Sequence, residues 1–204
     1  QIGLYLFKFE TLDEIKVIFL FHIIGMVLEL YKTNPAVASW SYPEPAIFKL
    51  YTVPLYSGFM YAAVGSYLSQ AWKHLKVEVA NFPSYRLSVA LCALIYLNFF
   101  TNHFLPDMRY LLIPIIFIFF WQARVYFTVT KERRMRLPIA FMLIAFFIWI
   151  AENISTYLGA WKYPDQVHQW SVVSTGKISS WFLLVILSFI IVASLKHFKK
   201  THRL

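Results

Sequence analysis

The stretch "AENISTYLGAWKYPDQ", residues 151–166, decides how this chain is interpreted. It follows the apolar run "FMLIAFFIWI" at 141–150 and places Glu152 and Asn153 where a membrane-length helix would end. A carboxylate at such a position is costly unless it is paired, hydrated or protonated. The cluster "WKYPD" at 161–165 then supplies aromatic rings and a proline. The stretch therefore predicts a helix end followed by a loop that folds back over it.

A second copy of this pattern occurs near the start of the chain. "ELYKT" at 29–33 matches "ENIST" at 152–156, and "ASWSYPE" at 38–44 matches "GAWKYPD" at 159–165. The residues that correspond are Glu29 with Glu152, Trp40 with Trp161, Tyr42 with Tyr163, and Glu44 with Asp165. Two copies in the same orientation predict a duplicated helical hairpin, with repeat units at about 15–72 and 137–197 of a single membrane domain covering 1–204.

The composition indicates an integral membrane protein. Of the 204 residues, 59% are hydrophobic and 14% are charged, against about 25% charged in an ordinary soluble domain. The apolar residues form long runs, and a backbone in lipid must satisfy its own hydrogen bonds, so the predicted fold class is an all-α polytopic helical bundle. We predict six transmembrane helices, at Ile15–Tyr31, Tyr56–Trp72, Leu87–Phe104, Tyr110–Val129, Leu137–Tyr157 and Ile178–His197.

The basic residues predict the orientation of these spans. Of the 19 Lys and Arg residues, 14 fall on the side that holds both chain ends and 5 on the other side. The positive-inside rule places the first side in the cytoplasm and the two repeated loops on the outer side. The run "KERRMR" at 131–136 is then a topology signal, and the net charge of +9 predicts contact with the membrane and with no nucleic acid.

A third group of polar residues falls on the same outer side, in "NFFTNHFLPDMR" at 98–109. Asn98 and Asn102 are spaced i,i+4 and share a helix face. His103 is the best candidate for proton transfer at neutral pH, and Asp107 follows it closely. The alternative is that His103 and Asp107 cap the turn.

The catalytic hypothesis assigns acid–base chemistry to Glu29 and Glu152, assisted by His103 and Asp107, because two carboxyl groups in unlike surroundings can serve as acid and base. The alternative is that each glutamate holds down its own loop through hydrogen bonds to backbone N–H groups. The predicted substrate-binding residues are Trp40, Tyr42, Glu44, Asn98, Asn102, Asn153, Trp161, Tyr163 and Asp165.

Cofactor and metal signals are weak. Metal-ligand spacings such as HxxxH and CxxC do not occur in the sequence, so we predict no metal and no cofactor. His22 lies two helical turns before Glu29 and is either a proton relay or a neutral histidine bonded to a carbonyl. Cys92 is predicted to be a packing residue.

Four phrases carry a resemblance to a known family: "ELYKT…SWSYPEP", "SGFMYAAVGSYL", "NFFTNHFLPD" and "FFIWIAENISTYLGAWKYP". From about Gly25 to Ala193 the chain resembles a bacterial family of integral membrane proteins known as domain of unknown function 817. The resemblance implies a multi-pass protein of the bacterial inner membrane and supplies no activity. Because the chain does not begin with Met, we also expect a segment before Gln1.

A second, more distant resemblance implies a type of reaction. A Glu near a helix end, followed by a glycine and then Trp-x-Tyr, is similar to motifs of membrane carotenoid cyclases and hydratases, which use intramembrane acids to protonate a polyene. The likeness implies that Glu29 and Glu152 are proton donors, with Glu44 and Asp165 next. It also implies that the rings of Trp40, Tyr42, Trp161 and Tyr163 could face a carbocation.

These observations favour an intramembrane enzyme that acts on a lipid-like or isoprenoid substrate at the outer leaflet, with a hydrophobic small molecule as its partner. The alternatives are a transporter or binding protein for a small solute, and a structural subunit of a membrane complex. The apolar runs "IPIIFIFF" and "FLLVILSFIIVASL" offer few polar groups for a transport path, which disfavours the transporter. The sequence does not predict the oligomeric state.

Overall fold

A computed structural model of the chain describes residues 2–201, with side chains up to residue 194. The basic side chains after residue 194, which contributed to the predicted orientation, and both chain ends lie outside the described residues. Seven α-helices are present in the described part: α1 (Ile2–Leu6), α2 (Leu12–Lys32), α3 (Leu55–His74), α4 (Tyr85–Thr101), α5 (Arg109–Phe120), α6 (Leu137–Tyr157) and α7 (Lys177–Thr201).

Local sequence explains where the long helices begin. Thr11 precedes α2 and forms a capping box with Glu14, in which each side chain bonds the other residue's backbone N–H. Pro138 stands in the first turn of α6, where a missing N–H has no consequence. Pro114 lies inside α5, which at 12 residues is shorter than the helices in the other predicted spans.

Two helical hairpins and a central helix organise the bundle. Helices α2 and α3 pack against each other along their length, as do α6 and α7. Helix α7 also contacts α2, α3, α4 and α5, so it stands at the centre. Its side chains Phe182, Leu183 and Ile186 are fully buried in an apolar cluster with residues of α4, α5 and α6. Each of the six predicted spans overlaps one of the helices α2 to α7.

The prediction of an all-α fold is wrong between residues 121 and 136. Helix α5 ends at Phe120, and the predicted span up to Val129 continues as strand β4 (Arg124–Thr128) of a three-stranded antiparallel sheet. Its partners are β3 (Glu78–Ala80) and β5 (Glu132–Arg136). The cause is local: "RVYFT" is made of β-branched, aromatic and charged residues, which favour a strand with one buried face, and Val125 is its buried residue. A short pair, β1 (Lys49–Leu50) and β2 (Val53–Pro54), precedes α3.

In the described part of the chain, two helices are long and apolar enough to cross a membrane, Leu137–Tyr157 and Lys177–Ser194. Helices α4 and α5 are apolar but shorter, with 17 and 12 residues. At 1.5 Å per residue, α5 covers about 18 Å, less than the ~30 Å hydrocarbon core of a bilayer. Six crossings therefore stay a prediction.

The two repeated loops meet each other. Ser41 and Lys162, which occupy equivalent places between Trp and Tyr in the two copies, form an antiparallel bridge with two backbone hydrogen bonds of 2.9 Å. Ser41 N–H donates to the Lys162 carbonyl, and Lys162 N–H donates to the Ser41 carbonyl. This contact brings the Trp-x-Tyr segments that follow α2 and α6 side by side.

Glycines allow α2 and α3 to approach closely. A Cβ atom on Gly25 would lie 2.3 Å from Cγ and 2.7 Å from Cβ of Tyr61. These atoms are at the base of the tyrosine side chain, so rotation of the ring cannot relieve the clash. The contact fixes the separation of the two helices.

We expect Gly25→Ala to destabilise the protein by about 1–3 kcal/mol, because over-packing at a close helix contact forces backbone shifts. The measurement is unfolding of the purified protein in neutral detergent. Gly3→Ala is the matched control, since a Cβ there meets nothing within 4 Å and alanine is the better helix former. Equal stability of the two variants would contradict the close packing.

Candidate functional site

A cavity of about 610 Å³ lies where the two repeated loops and the end of α4 meet the ends of α2, α6 and α7. Nine of the thirteen residues predicted for the site line it, including all four catalytic candidates: Glu29, Glu152, His103, Asp107, Trp40, Tyr42, Asn102, Trp161 and Tyr163. Its remaining walls include apolar side chains of the helices: Phe21, Leu28, Met60, Val64, Phe99, Ile148, Leu184 and Val185.

Glu29 is buried near the end of α2 and accepts three hydrogen bonds from neutral groups. Tyr42 Oη donates to Oε2 at 2.8 Å, and Trp40 Nε1 donates to the same oxygen at 2.9 Å. Tyr61 Oη of helix α3 donates to Oε1 at 3.0 Å. Both carboxylate oxygens are therefore engaged, and the first repeated loop is fastened to the helix by its two aromatic side chains.

Glu152 repeats this arrangement near the end of α6. Tyr163 Oη donates to Oε1 at 2.5 Å, and Trp181 Nε1 of helix α7 donates to Oε2 at 2.7 Å. In both copies the tyrosine of the Tyr-Pro pair binds the glutamate, together with an aromatic side chain of the next helix. The loops are indeed held by the glutamates, but through side-chain O–H and N–H donors and not through the backbone N–H groups that the sequence suggested.

The sequence analysis missed Tyr61 and Trp181. Each lies in the first two turns of the helix that follows its repeated loop, close to the serines Ser57 and Ser180. Both donate to the glutamate of their own hairpin, but they differ in residue type and in spacing from the loop, so a sequence alignment of the two copies does not pair them. They could have been found from the rule that a buried carboxylate needs several hydrogen-bond donors, because both side chains carry an O–H or N–H group.

The end of α4 brings a second polar cluster to the cavity. Lys32 Nζ lies 3.0 Å from Asn102 Oδ1 and 2.9 Å from His103 Nε2. Ser39 Oγ lies 3.0 Å from the same His103 nitrogen. Because a lysine ammonium only donates, this geometry requires His103 Nε2 to be an unprotonated acceptor.

Asp107 and Arg109 form an ion pair, with Asp107 Oδ2 2.6 Å from both Nε and Nη2 of Arg109. Arg109 Nη1 also donates to Ser180 Oγ at 2.6 Å, which joins the turn after α4 to helix α7. Asn98 is buried and lies outside the cavity lining; its Oδ1 accepts from Met108 N–H and its Nδ2 donates to Asp107. These contacts fix the conformation of the turn between α4 and α5.

Three other predicted binding residues also lie outside the lining of this cavity. Asn153 accepts from Val173 N–H at 2.9 Å and donates to the Trp149 carbonyl, so it anchors the segment before α7. Asp165 is exposed in a 3₁₀ turn at Pro164–Gln166. Glu44 is exposed and lines a smaller surface pocket beside Gly159.

Lys177, which was not predicted, faces the cavity from the start of α7. Its Nζ lies 4.1 Å from the ring centre of Tyr163 and 5.8 Å from that of Trp40, so it contacts an aromatic ring from each repeated loop. A cation over aromatic faces is attracted by the ring quadrupole. The lysine thus helps to hold the two loops together.

Burial and the nearby carboxylates keep the loop tyrosines protonated. Burial raises the pKa of Tyr42, and the charge of Glu29 raises it further. Burial and Glu152 raise the pKa of Tyr163 in the same way. Both phenols therefore remain hydrogen-bond donors at any physiological pH.

Within residues 2–194, no group of three or more His, Cys, Asp or Glu side chains is arranged to hold a metal ion. His22 packs against Phe59 in the α2–α3 contact, and its Nδ1 is buried with no hydrogen-bond partner in this part of the chain. Cys92 is a partly buried free thiol that packs against the apolar cluster.

Comparison with known proteins identifies the family. The family described as "Protein of unknown function (DUF817)" matches residues 1–189. The chain belongs to DUF817. The family resemblance found in the sequence is thereby confirmed.

A DUF817 relative from Bacillus subtilis (strain 168), described as uncharacterized protein YoaT, is 58% identical over 192 residues, which are 94% of this chain and 72% of that protein. The fold resembles a mycobacterial Insig homologue, MvINS from Mycobacterium vanbaalenii, with a TM-score of 0.62 at 12% identity over 90% of this chain and 93% of that one. A cross-linked trimer of MvINS gives the same TM-score and identity over 91% and 95%. The DUF817 chain therefore has a fold like that of MvINS, and at 12% identity the likeness concerns the fold alone.

The contact between Lys32 and His103 predicts a dependence of stability on pH. Partial loss of water around its ring, together with the positive charges of Lys32 and Lys177, lowers the pKa of His103 below its ordinary value of 6.5. The unfolded chain then binds this proton more readily than the folded protein does, so stability decreases as the pH falls through about 6.5. Unfolding midpoints at pH 7.5 and 5.5 measure the effect, and the decrease should be smaller in His103→Gln. An equal decrease in both proteins would contradict the assignment.

Proposed function

We propose that this protein is a multi-pass membrane protein that binds a lipid-like or isoprenoid molecule in the cavity between its two repeated loops. The observation that carries the proposal is the composition of this one cavity. Two buried glutamates, two lysines and four aromatic loop residues line one part of it, and aliphatic and phenylalanine side chains of the helices line the rest. A volume of about 610 Å³ lies within the range of small-molecule sites, roughly 300–1,000 Å³.

The proposed topology has helices α2 to α7 as six crossings of a bacterial inner membrane. Both chain ends are on the cytoplasmic side with the three-stranded sheet, and the repeated loops are on the outer side, in agreement with the distribution of basic residues. Helix α5 is short for a crossing, and the sheet that follows it supplies paired backbone where the helix stops. The cavity then opens near the outer leaflet, where a lipid-like molecule could enter.

Acid–base catalysis on the bound molecule is the second candidate function. It is favoured by the different surroundings of two carboxylates in one cavity: Glu29 accepts from three neutral donors, whereas Glu152 accepts from two. Groups whose surroundings differ can divide the roles of acid and base. In this proposal Glu29 and Glu152 exchange protons with the substrate, and His103 exchanges protons with water because its side chain is exposed.

The alternatives of a solute transporter and a structural subunit receive less support. Beyond the cavity, α7 shares an apolar cluster with Ile95, Ile116 and Phe141 of its neighbouring helices, and these side chains offer no polar path through this part of the bundle. Uptake of a solute by proteoliposomes would favour the transporter. A cavity of this size among ionisable side chains is unnecessary for a purely structural subunit.

Filling the cavity tests the binding proposal. We expect hydrophobic molecules that co-purify with the protein in neutral detergent to be lost in Val64→Phe, because Val64 lines the cavity. The neighbouring Ala63 is exposed and outside the lining, so Ala63→Phe is the matched control and should retain them. Mass spectrometry of organic extracts provides the measurement. Equal retention by the two variants would overturn the proposal.

Replacing the acids tests catalysis separately. We expect Glu29→Gln and Glu152→Gln to lower conversion of the co-purifying molecule by at least about 100-fold, the usual size of a general acid–base contribution. Glu132→Gln is the control, since Glu132 is exposed and outside the cavity lining. Conversion assays should be accompanied by binding assays. Unchanged conversion in both cavity variants rules out the catalytic role and leaves the binding proposal in place.

A further inference from the structure

Lys32 is an unusual lysine. Its exposed fraction is 5%, and among the basic side chains up to residue 194 it is the one that is buried. Lysine is almost never buried without a partner of opposite charge, because removing an ammonium group from water costs several kcal/mol. The position therefore calls for an anion.

The described part of the chain does not supply that anion by direct contact. The hydrogen-bond partners of Lys32 Nζ are Asn102 and His103, both neutral. Ion pairs within 4.0 Å in residues 2–194 join Lys16 to Asp13, Lys73 to Glu14 and Arg109 to Asp107, and none includes Lys32.

Glu29 lies one helical turn before Lys32 but is occupied elsewhere. Its two oxygens accept from Trp40, Tyr42 and Tyr61. The two oxygens of Glu152 are likewise bonded to Tyr163 and Trp181. Both buried glutamates thus bind neutral donors, and the ammonium groups of the cavity remain available to a ligand.

Lys177 provides a second cation in the same cavity, from the other half of the molecule. Its Nζ contacts the rings of Tyr163 and Trp40, and it forms no ion pair with the described carboxylates. Arg109 lines the cavity as well, but Asp107 neutralises its guanidinium group. Lys32 and Lys177 are therefore the two lysines that face the cavity without a bonded acid.

We propose that Lys32 and Lys177 bind an oxyanion, a phosphate or a carboxylate, which is the headgroup of the amphiphile held in the cavity. This inference rests on the proposed binding function and specifies the class of ligand. Asn102 lies beside Lys32 and Ser39 lies beside His103, and both line the cavity together with Ser180, so these polar groups can complete the hydrogen bonds of the headgroup. The aliphatic and phenylalanine walls then receive the hydrocarbon tail.

Three ligands with and without charge test the inference on the full chain in neutral detergent: dodecyl phosphate, dodecanol with the same tail, and inorganic phosphate with no tail. Isothermal titration measures binding to the wild type, Lys32→Met and Lys177→Met. We expect dodecyl phosphate to bind more tightly than dodecanol. We also expect each substitution to weaken the binding of dodecyl phosphate by about tenfold or more, as is typical when a hydrogen bond to a charged group is lost.

The controls separate a built site from general attraction to charge. Lys16→Met removes the same charge at an exposed residue outside the cavity lining and should leave binding unchanged. If Lys32→Met does not fold, Lys177→Met and Lys32→Arg, which keeps the charge and should keep binding, carry the test.

The possible results distinguish a failure of the oxyanion site from a failure of the proposed binding function. Equal binding of dodecyl phosphate and dodecanol, unaffected by either substitution, would overturn the oxyanion site and leave the amphiphile cavity standing. Tight binding of inorganic phosphate alone, lost in Lys32→Met, would support the oxyanion site but place a free ion in it and contradict the amphiphile. No binding of any of the three ligands would overturn both proposals.

Discussion

The architecture of this protein depends on the need of two buried carboxylates for hydrogen-bond donors. Glu29 and Glu152 stand near the ends of apolar helices, where water is scarce and an unbonded charge is expensive. The donors come from phenol and indole groups that reach back from the following loops and helices. Satisfying the acids therefore folds both loops inward over the bundle, and the cavity is the space that remains beneath them.

Among the described side chains, the two buried glutamates and the two lysines of the cavity form no ion pairs with one another. Glu29 and Glu152 accept hydrogen bonds from tyrosine O–H and tryptophan N–H groups, while Lys32 and Lys177 have only neutral or aromatic partners. Opposite charges that are near but not bonded to each other leave both sets of groups able to respond to a ligand. A site of this kind can accommodate a polar end and a hydrocarbon body in one molecule, which is why we favour an amphiphilic ligand.

Much of this could be predicted from the sequence, and the failures have physical causes. The apolar runs located all six long helices, and the repeated Glu, Trp and Tyr residues all line the cavity. The strand Arg124–Thr128 was missed because an apolar run next to it, ending at Phe120, was extended by composition alone. Tyr61, Trp181 and the role of Lys32 depend on which side chains meet across helices, and spacing along one chain does not contain that information.

The bridge between Ser41 and Lys162 has a consequence for which substitutions the two loops can tolerate. Both of its hydrogen bonds are made by main-chain atoms, so the link does not require any particular side chain at these positions. One loop carries a serine there and the other a lysine, and the backbone pairing is the same from both sides. The two loops can therefore differ in their side chains, and in the chemistry those side chains provide, while the main-chain contact between them is kept.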